Sequence, residues 1–195
     1  MKSFLSQITM PYAEALNRKL TNSYLWHQWI WQSFPGKPDA KRDFLFRVDI
    51  IRDTVRVLLL SEHLPQNNED YPWQSKSIAD SFLMHEIYRF QIKANPTFRR
   101  SNDRRRIPLY QQDNLHDWFQ RKLEAIGCSL HSIEIGQPQI EEFTKDGKRI
   151  RLNSVDASGI LEVVERDSFT KGFSQGIGSA KGFGFGLLML QPIQL

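Results

Sequence analysis

The chain opens on FLSQIT, where apolar and polar residues alternate as in a half-buried strand. AEALNRKLTNSYLWHQWIWQSF then runs for about twenty residues without Gly or Pro, and predicts a single helix ending at Pro35, Gly36 and Pro38. DFLFRVDI and TVRVLLL are β-patterned runs joined by a charged turn at Arg52 and Asp53. A polar stretch leads to SKSIA, a short strand, and IYRFQIKA alternates clearly. Leu115, Trp118, Phe119, Leu123 and Ile126 fall at helical spacing, with Gly127 placed to end the helix. SLHSIEIGQPQIEEF and GILEVVE read as two strands around a turn at Asp146 and Gly147. DSFTKGFSQGIG reads as a short helix capped by Asp167 or Ser168, and FGLLMLQP as a final strand.

The order strand, helix, strand, strand thus occurs twice, and the second half completes it with a helix and a strand. This is the α+β ferredoxin-like, or RRM-like, βαββαβ arrangement, predicted as two tandem units over 1–84 and 85–195. A chain of 195 residues with 40% hydrophobic content can bury a core for either unit, which excludes a disordered chain. No run of 18 apolar residues is present, and Ser6, Gln7 and Pro11 interrupt the apolar start, so neither a membrane span nor secretion is expected. A single cysteine, Cys128, leaves no intramolecular disulfide, and no Cys/His spacing suits zinc. A cytoplasmic location fits, with no metal and no cofactor.

Charge changes the picture more than composition does. The formal net charge is +4, and NPTFRRSNDRRR alone carries all of it: Arg99, Arg100, Arg104, Arg105 and Arg106 stand against Asp103. Such density should hold the segment in solvent as a loop or arm and attract a polyanion, with arginine favouring bidentate phosphate contacts. A solvated basic loop without a partner is the alternative. Lys145, Lys148, Arg149 and Arg151 form a smaller basic group, and Lys171 and Lys181 a third.

GIGSAKGFGFG, residues 176–186, places five glycines between a helix and a buried strand. It can bring backbone N–H groups close to an anion, with Lys181 adding charge, or it can be a tight connection with Phe183 and Phe185 in the core. It is neither a Walker A loop nor a Rossmann fingerprint. KGFGF also matches the start of the RNA-recognition RNP1 pattern. Tyr24 and His27 stand three apart on the first helix, so both side chains can reach one small substrate as an acid/base pair. A histidine among Trp26, Trp29 and Trp31 is more often a packed or surface residue than a catalyst.

Three longer segments carry a resemblance: HQWIWQSFPGKPDAKRDFLF, FQIKANP and QGIGSAKGFGFGLL, the last with Gly176, Gly178, Gly184 and Gly186 in its glycine pattern. They resemble, in order, the CasE endoribonucleases that process CRISPR repeat RNA in type I-E systems, within the RAMP superfamily. The resemblance implies tandem ferredoxin-like folds and places the catalytic histidine on His27 and the active-site tyrosine on Tyr24. It implies metal-independent cleavage at the 3′ base of the repeat stem-loop by the neighbouring 2′-hydroxyl, leaving a 2′,3′-cyclic phosphate and a 5′-hydroxyl. The product would stay bound, and the partners would be the repeat RNA and the other Cascade subunits. Arg99, Arg100, Arg104, Arg105 and Arg106 would grip the stem, as would Lys148, Arg149 and Arg151. Gly178, Ser179 and Lys181 would touch RNA or shape the domain interface. Trp29, where that family commonly has a small residue, would narrow the site. A non-catalytic RNA-binding Cascade subunit and a tandem RRM protein that binds single strands remain the alternatives.

Overall fold

A computed structural model of the protein describes residues 3–35, 42–67, 70–103 and 105–194. Gly36 and Pro38 of the expected turn, and Arg104 of the basic segment, lie outside the described residues. The first sheet joins β1 (Phe4–Pro11), β2 (Phe44–Ile51), β3 (Thr54–Ser61) and β4 (Gln74–Ser77), all antiparallel, in the order β2-β3-β1-β4. The second joins β5 (Ile87–Ala94), β8 (Cys128–Ile135), β10 (Lys148–Val163) and β11 (Leu188–Pro192) in the order β11-β5-β10-β8. Counted within its own unit, each sheet has the strand order 4-1-3-2, and the fold is a tandem of ferredoxin-like units. The described residues between β3 and β4 contain no helix, so the first unit keeps the strand order but not the second helix.

Four local readings change. The expected single N-terminal helix is two, α1 (Tyr12–Asn17) and α2 (Ser23–Trp31). Lys19 takes a left-handed φ of 58°, and the Asn22 side chain accepts hydrogen bonds from the Tyr24 and Leu25 amides, starting a new helix where the sequence carries no Gly or Pro. SLHSIEIGQPQIEEF divides into β8 and β9 (Gln139–Lys145), because the chain leaves β8 at Gly136, whose amide donates to the Asp156 carbonyl. β10 is correspondingly long, 16 residues, pairing with β9 through its first half and with β5 and β8 through its second. The last helix, α4 (Arg166–Gln175), is capped by Glu165, whose carboxylate accepts from the Asp167 and Ser168 amides; the expected caps are the donors. The basic segment is a hairpin rather than a loop: β6 (Thr97–Arg99) pairs with β7 (Arg106–Pro108), setting Arg99 opposite Arg106.

Three apolar clusters hold these layers. Ile8, Met10, Phe44, Phe46, Val55, Val57 and Leu59 pack under α1 and α2 with Trp26 and Ile30. Tyr88, Phe90, Ile92, Leu161 and Phe169 pack with Trp118, Phe119 and Leu123 of α3 (Gln112–Glu124). Leu45, Leu58 and Leu60, on the opposite face of the first sheet, meet Phe173 and Leu187 of the second unit. The unbroken VLLL of β3 is thus explained by burial on both faces. Each of these side chains contributes about 1.5–3 kcal/mol on burial, enough for five of them to lock the units together. Polar ties reinforce the seam: Arg47 on β2 bonds Asp156 on β10 at 2.9 Å, and the Ser23 hydroxyl at the start of α2 donates to Glu141 on β9.

Candidate functional site

The Asn22 cap aims α2 at that seam. Tyr24 stacks on Phe143 of β9 with ring centres 6.0 Å apart, and one turn later His27 faces a cleft of about 720 Å³. Four stretches of chain line the cleft: α2 with Tyr24, His27 and Gln28; Arg42 just before β2; Lys145 at the end of β9; and Gly182 and Phe183 of the glycine-rich stretch. The His27 ring lies among Trp31, Phe44, Phe46 and Phe183, with centroids 5.8 to 6.3 Å away. Its Nδ1 is buried and has no hydrogen-bond partner among the described residues. Burial foremost, then the charges of Arg42 and Lys145, holds the His27 pKa below the usual imidazole value. A protonated ring would leave a second N–H unsatisfied beside two cations, so neutral imidazole is the resting form. The Tyr24 hydroxyl accepts from Gln28 Nε2 at 3.1 Å, leaving its own proton available to a ligand. Arg42 donates to the Lys181 carbonyl at 2.5 Å, while the Lys145 ammonium sits 5.8 Å from the Tyr24 ring centre and 5.9 Å from that of Phe183. Among the described residues no carboxylate lines the cleft, and no group of three or more His, Cys, Asp or Glu is placed to hold a metal ion.

A second cationic cavity, of about 480 Å³, lies between the β6–β7 hairpin, α3 and the start of the glycine-rich stretch. Arg99, Arg106, Gly178 and Ser179 line it together with Arg121 and Lys122 of α3. Its back wall is Trp118, whose indole donates to the Thr97 carbonyl at 3.1 Å and allows Gly178 to approach: a Cβ there would stand 3.0 Å from the ring. Asn95 braces the hairpin root. Its Oδ1 accepts from the Asn153 amide, its Nδ2 donates to Ser179 Oγ at 3.2 Å, and Asn153 in turn reaches the Leu109 carbonyl.

Residues 3–192 match the family described as "CRISPR associated protein". The chain belongs to this CRISPR-associated family. It is 30% identical over 205 residues to the CRISPR system Cascade subunit CasE of Escherichia coli (strain K12), across 97% of this chain and 100% of the relative. It is 26% identical to the CRISPR-associated endoribonuclease Cse3 of Thermus thermophilus, across 93% of this chain and 96% of that relative. A structure of CRISPR endoribonuclease Cse3 bound to 19 nt RNA superposes with a TM-score of 0.87 at 24% identity, covering 98% of this chain and 100% of that one, so the fold is shared.

Within this CRISPR-associated chain the expected residues divide between the two surfaces. Tyr24 and His27 share one cleft; Arg99, Arg106, Gly178 and Ser179 share the other. Arg100 and Arg105 lie at the hairpin tip and both approach Asp103, at 3.3 and 3.4 Å. Arg149 and Arg151 converge on Glu142 across the β9–β10 hairpin, and the bond from Arg149 holds that carboxylate below the usual range. Lys148 is exposed in the same hairpin. Lys181 turns its ammonium to the Gln175 carbonyl at 2.8 Å and lends its own carbonyl to Arg42.

Trp29 does not narrow the cleft: its ring packs on Trp26 and Trp73 in the first core, at 5.6 and 6.4 Å. The RNP1 likeness of KGFGF also fails on geometry. Its residues form a 3₁₀ turn and a connection ahead of β11 rather than a strand, and Phe185 is fully buried. Sequence reading missed Arg42, Arg121 and Lys122. Arg42 sits within the first family-like segment, and Arg121 and Lys122 form a basic pair in the last turn of a helix, where cations ordinarily complement the helix dipole.

Proposed function

We propose that the protein is a metal-independent endoribonuclease that binds the stem-loop of a CRISPR repeat and cuts precursor RNA at its 3′ base. The observation that carries this reading is a neutral imidazole and a phenol with its proton available, facing a cleft that two cations and no carboxylate line among the described residues, in a chain similar throughout to CasE and Cse3. The 2′-oxygen attacks the adjacent phosphorus and the bond to the 5′-oxygen breaks. The products are a 2′,3′-cyclic phosphate and a 5′-hydroxyl. His27 exchanges the proton that leaves the 2′-hydroxyl or arrives on the 5′-oxygen, and Tyr24 orients the 2′-hydroxyl. The hairpin arginines, with Arg121 and Lys122, hold stem phosphates, and Lys148, Arg149, Arg151, Gly178, Ser179 and Lys181 extend or shape that contact.

The units over 1–84 and 85–195 act as one body, the first bringing α2 and the second the RNA-facing hairpins. After cleavage the protein retains the RNA within Cascade, as its similarity to a Cascade subunit suggests. It works in the cytoplasm, where precursor RNA is made; no described helix is long and apolar enough to cross a membrane. Incubation with the cognate repeat hairpin in EDTA tests the reading. Wild type should cut once. His27→Ala should lose about 10³-fold in rate, within the range for removal of a general acid or base, while still binding the hairpin. Absence of cleavage by wild type, or full activity of His27→Ala, overturns it.

A further inference from the structure

An arginine taken into a protein is ordinarily matched by a carboxylate, because an unpaired buried charge is costly. This chain follows the rule at Arg47, Arg56 and Arg18, though not at Arg166, whose guanidinium donates to the Leu83 and His85 carbonyls away from the cleft. Arg47 bonds Asp49 at 2.6 Å and Asp156 at 2.9 Å; Arg56 bonds the same Asp49 at 2.8 Å; Arg18 bonds Glu14 and Asp70, each at 2.6 Å. Arg42 departs from it. It is half-buried, and its hydrogen bond goes to a backbone carbonyl, that of Lys181, with no carboxylate paired to it among the described residues. Burial lowers its pKa from the usual guanidinium value, as expected of a cation short of counter-charge. Lys145, with no ion pair among the described residues, borders the same cleft.

We propose that Arg42 is a catalytic residue of this cleft, its guanidinium gripping a non-bridging oxygen of the scissile phosphate while the Lys181 carbonyl fixes its direction. This rests on the endoribonuclease reading and adds the group that carries the charge chemistry. A phosphodiester brings one negative charge; the five-coordinate state formed by 2′-oxygen attack holds more on its equatorial oxygens. A fixed cation in a half-buried cleft therefore binds the transition state more strongly than the substrate. Arginine suits the task because its planar fork meets two acceptors at once, here the carbonyl behind and the phosphate oxygen ahead.

The glycine-rich stretch acquires a purpose from this. Gly176, Gly178, Gly184 and Gly186 all hold left-handed φ of 74° to 84°, and the Ile177 amide bonds the Gly186 carbonyl at 2.9 Å, closing a loop that sets the Lys181 carbonyl against Arg42. The same phosphate offsets the two cations that lower the His27 pKa. Among the described residues Arg42 and Lys145 are the charged groups facing that ring, Tyr24 is the other titratable one and no acid lines the cleft, so substrate entry favours imidazolium formation during turnover.

Three measurements on the whole chain test this together: single-turnover cleavage of the repeat hairpin, affinity for a hairpin carrying 2′-deoxy at the cut site, and cleavage of Rp and Sp phosphorothioates at that linkage. Arg42→Ala and Arg42→Lys should each slow cleavage, the former by about 10²- to 10³-fold as for loss of one fixed transition-state donor, with deoxy-hairpin affinity changing less than about threefold. Wild type should discriminate between the two phosphorothioates, and the variants should lose that discrimination, which a purely structural arginine would leave in place. If Arg42→Ala is unstable, Arg42→Lys carries the test. Cleavage within about threefold of wild type, or full-sized phosphorothioate discrimination in the variants, overturns the assignment. Such a result with His27→Ala still inactive would leave the endoribonuclease reading intact; inactivity of wild type would remove that reading instead.

Discussion

Two cationic surfaces of this protein use the same residue types in opposite ways. At the cleft, Arg42 and Lys145 stand beside a half-buried imidazole with no carboxylate lining it among the described residues, so their fields act at short range with little screening. At the hairpins the arginines are exposed, Arg100 and Arg105 sharing Asp103 and Arg149 and Arg151 sharing Glu142, and salt reaches them freely. Paired, solvated charge suits holding a long polyanion reversibly; unpaired charge in a cleft suits acting on one phosphate. Counting basic residues points to the hairpins and misses the cleft.

The contrast breaks most sharply at Gly186. Its φ is 84°, and an added Cβ would stand 2.4 Å from the Ile177 carbonyl oxygen. Gly186→Ala should reduce stability by about 3 kcal/mol in chemical denaturation. By displacing the Lys181 carbonyl and Arg42 it should slow cleavage about 10²-fold, the cost of small misplacements at a reaction centre. Hairpin affinity should suffer far less.

The opposite dissociation comes from Arg99→Ala combined with Arg106→Ala. Hairpin affinity at ~0.1 M salt should fall about 10- to 100-fold and the slope of log affinity against log salt should flatten by about two, while cleavage of fully bound RNA is unchanged. An unaltered slope in a salt titration would show that these arginines are not phosphate ligands. Tyr24→Phe should slow cleavage about tenfold, the worth of one hydrogen bond of ~1.4 kcal/mol, without touching salt dependence. Arg149→Ala should weaken binding less than about twofold, because Glu142 already engages that guanidinium at an exposed site.

The smallest effect sharpens the cleft alone. His27 has a lower pKa folded than unfolded, so the unfolded chain binds more protons as pH falls. Its contribution to stability is full above the unfolded value near 6.5 and is lost as pH falls through that value towards the lowered folded one. His27→Asn should flatten this acid-side decline in urea melts taken across that window.

Where one residue type dictates one local outcome, the sequence was readable. Alternation at IYRFQIKA, the helical stripe of Leu115, Trp118, Phe119 and Leu123, and the placement of Gly127 all became the expected elements. The break between α1 and α2 was not legible, because it rests on Lys19 adopting a left-handed φ and Asn22 capping from mid-run. Nor was the split of β8 from β9, which is fixed by a hydrogen bond from Gly136 to distant Asp156. Tyr24 and His27 were visible as a pair because both lie on one helix. Arg42, Lys145 and Phe183 meet them only through tertiary contacts, which no spacing rule encodes, and Arg121 and Lys122 passed for an ordinary helix end.

The cleft is assembled from widely separated parts of the chain, with Phe183 on its wall and the Lys181 carbonyl behind Arg42. A ribosome has therefore made everything through the glycine-rich stretch before any reaction centre exists. α2 emerges early carrying the imidazole, but a nascent or truncated chain has neither the loop that orients Arg42 nor β11, which follows it. The strands β6 and β7 are made before this, but the cavity beside them also waits for Gly178 and Ser179. Neither surface is whole in an unfinished molecule, so synthesis of the glycine-rich stretch completes the proposed RNA grip and the proposed reaction centre together.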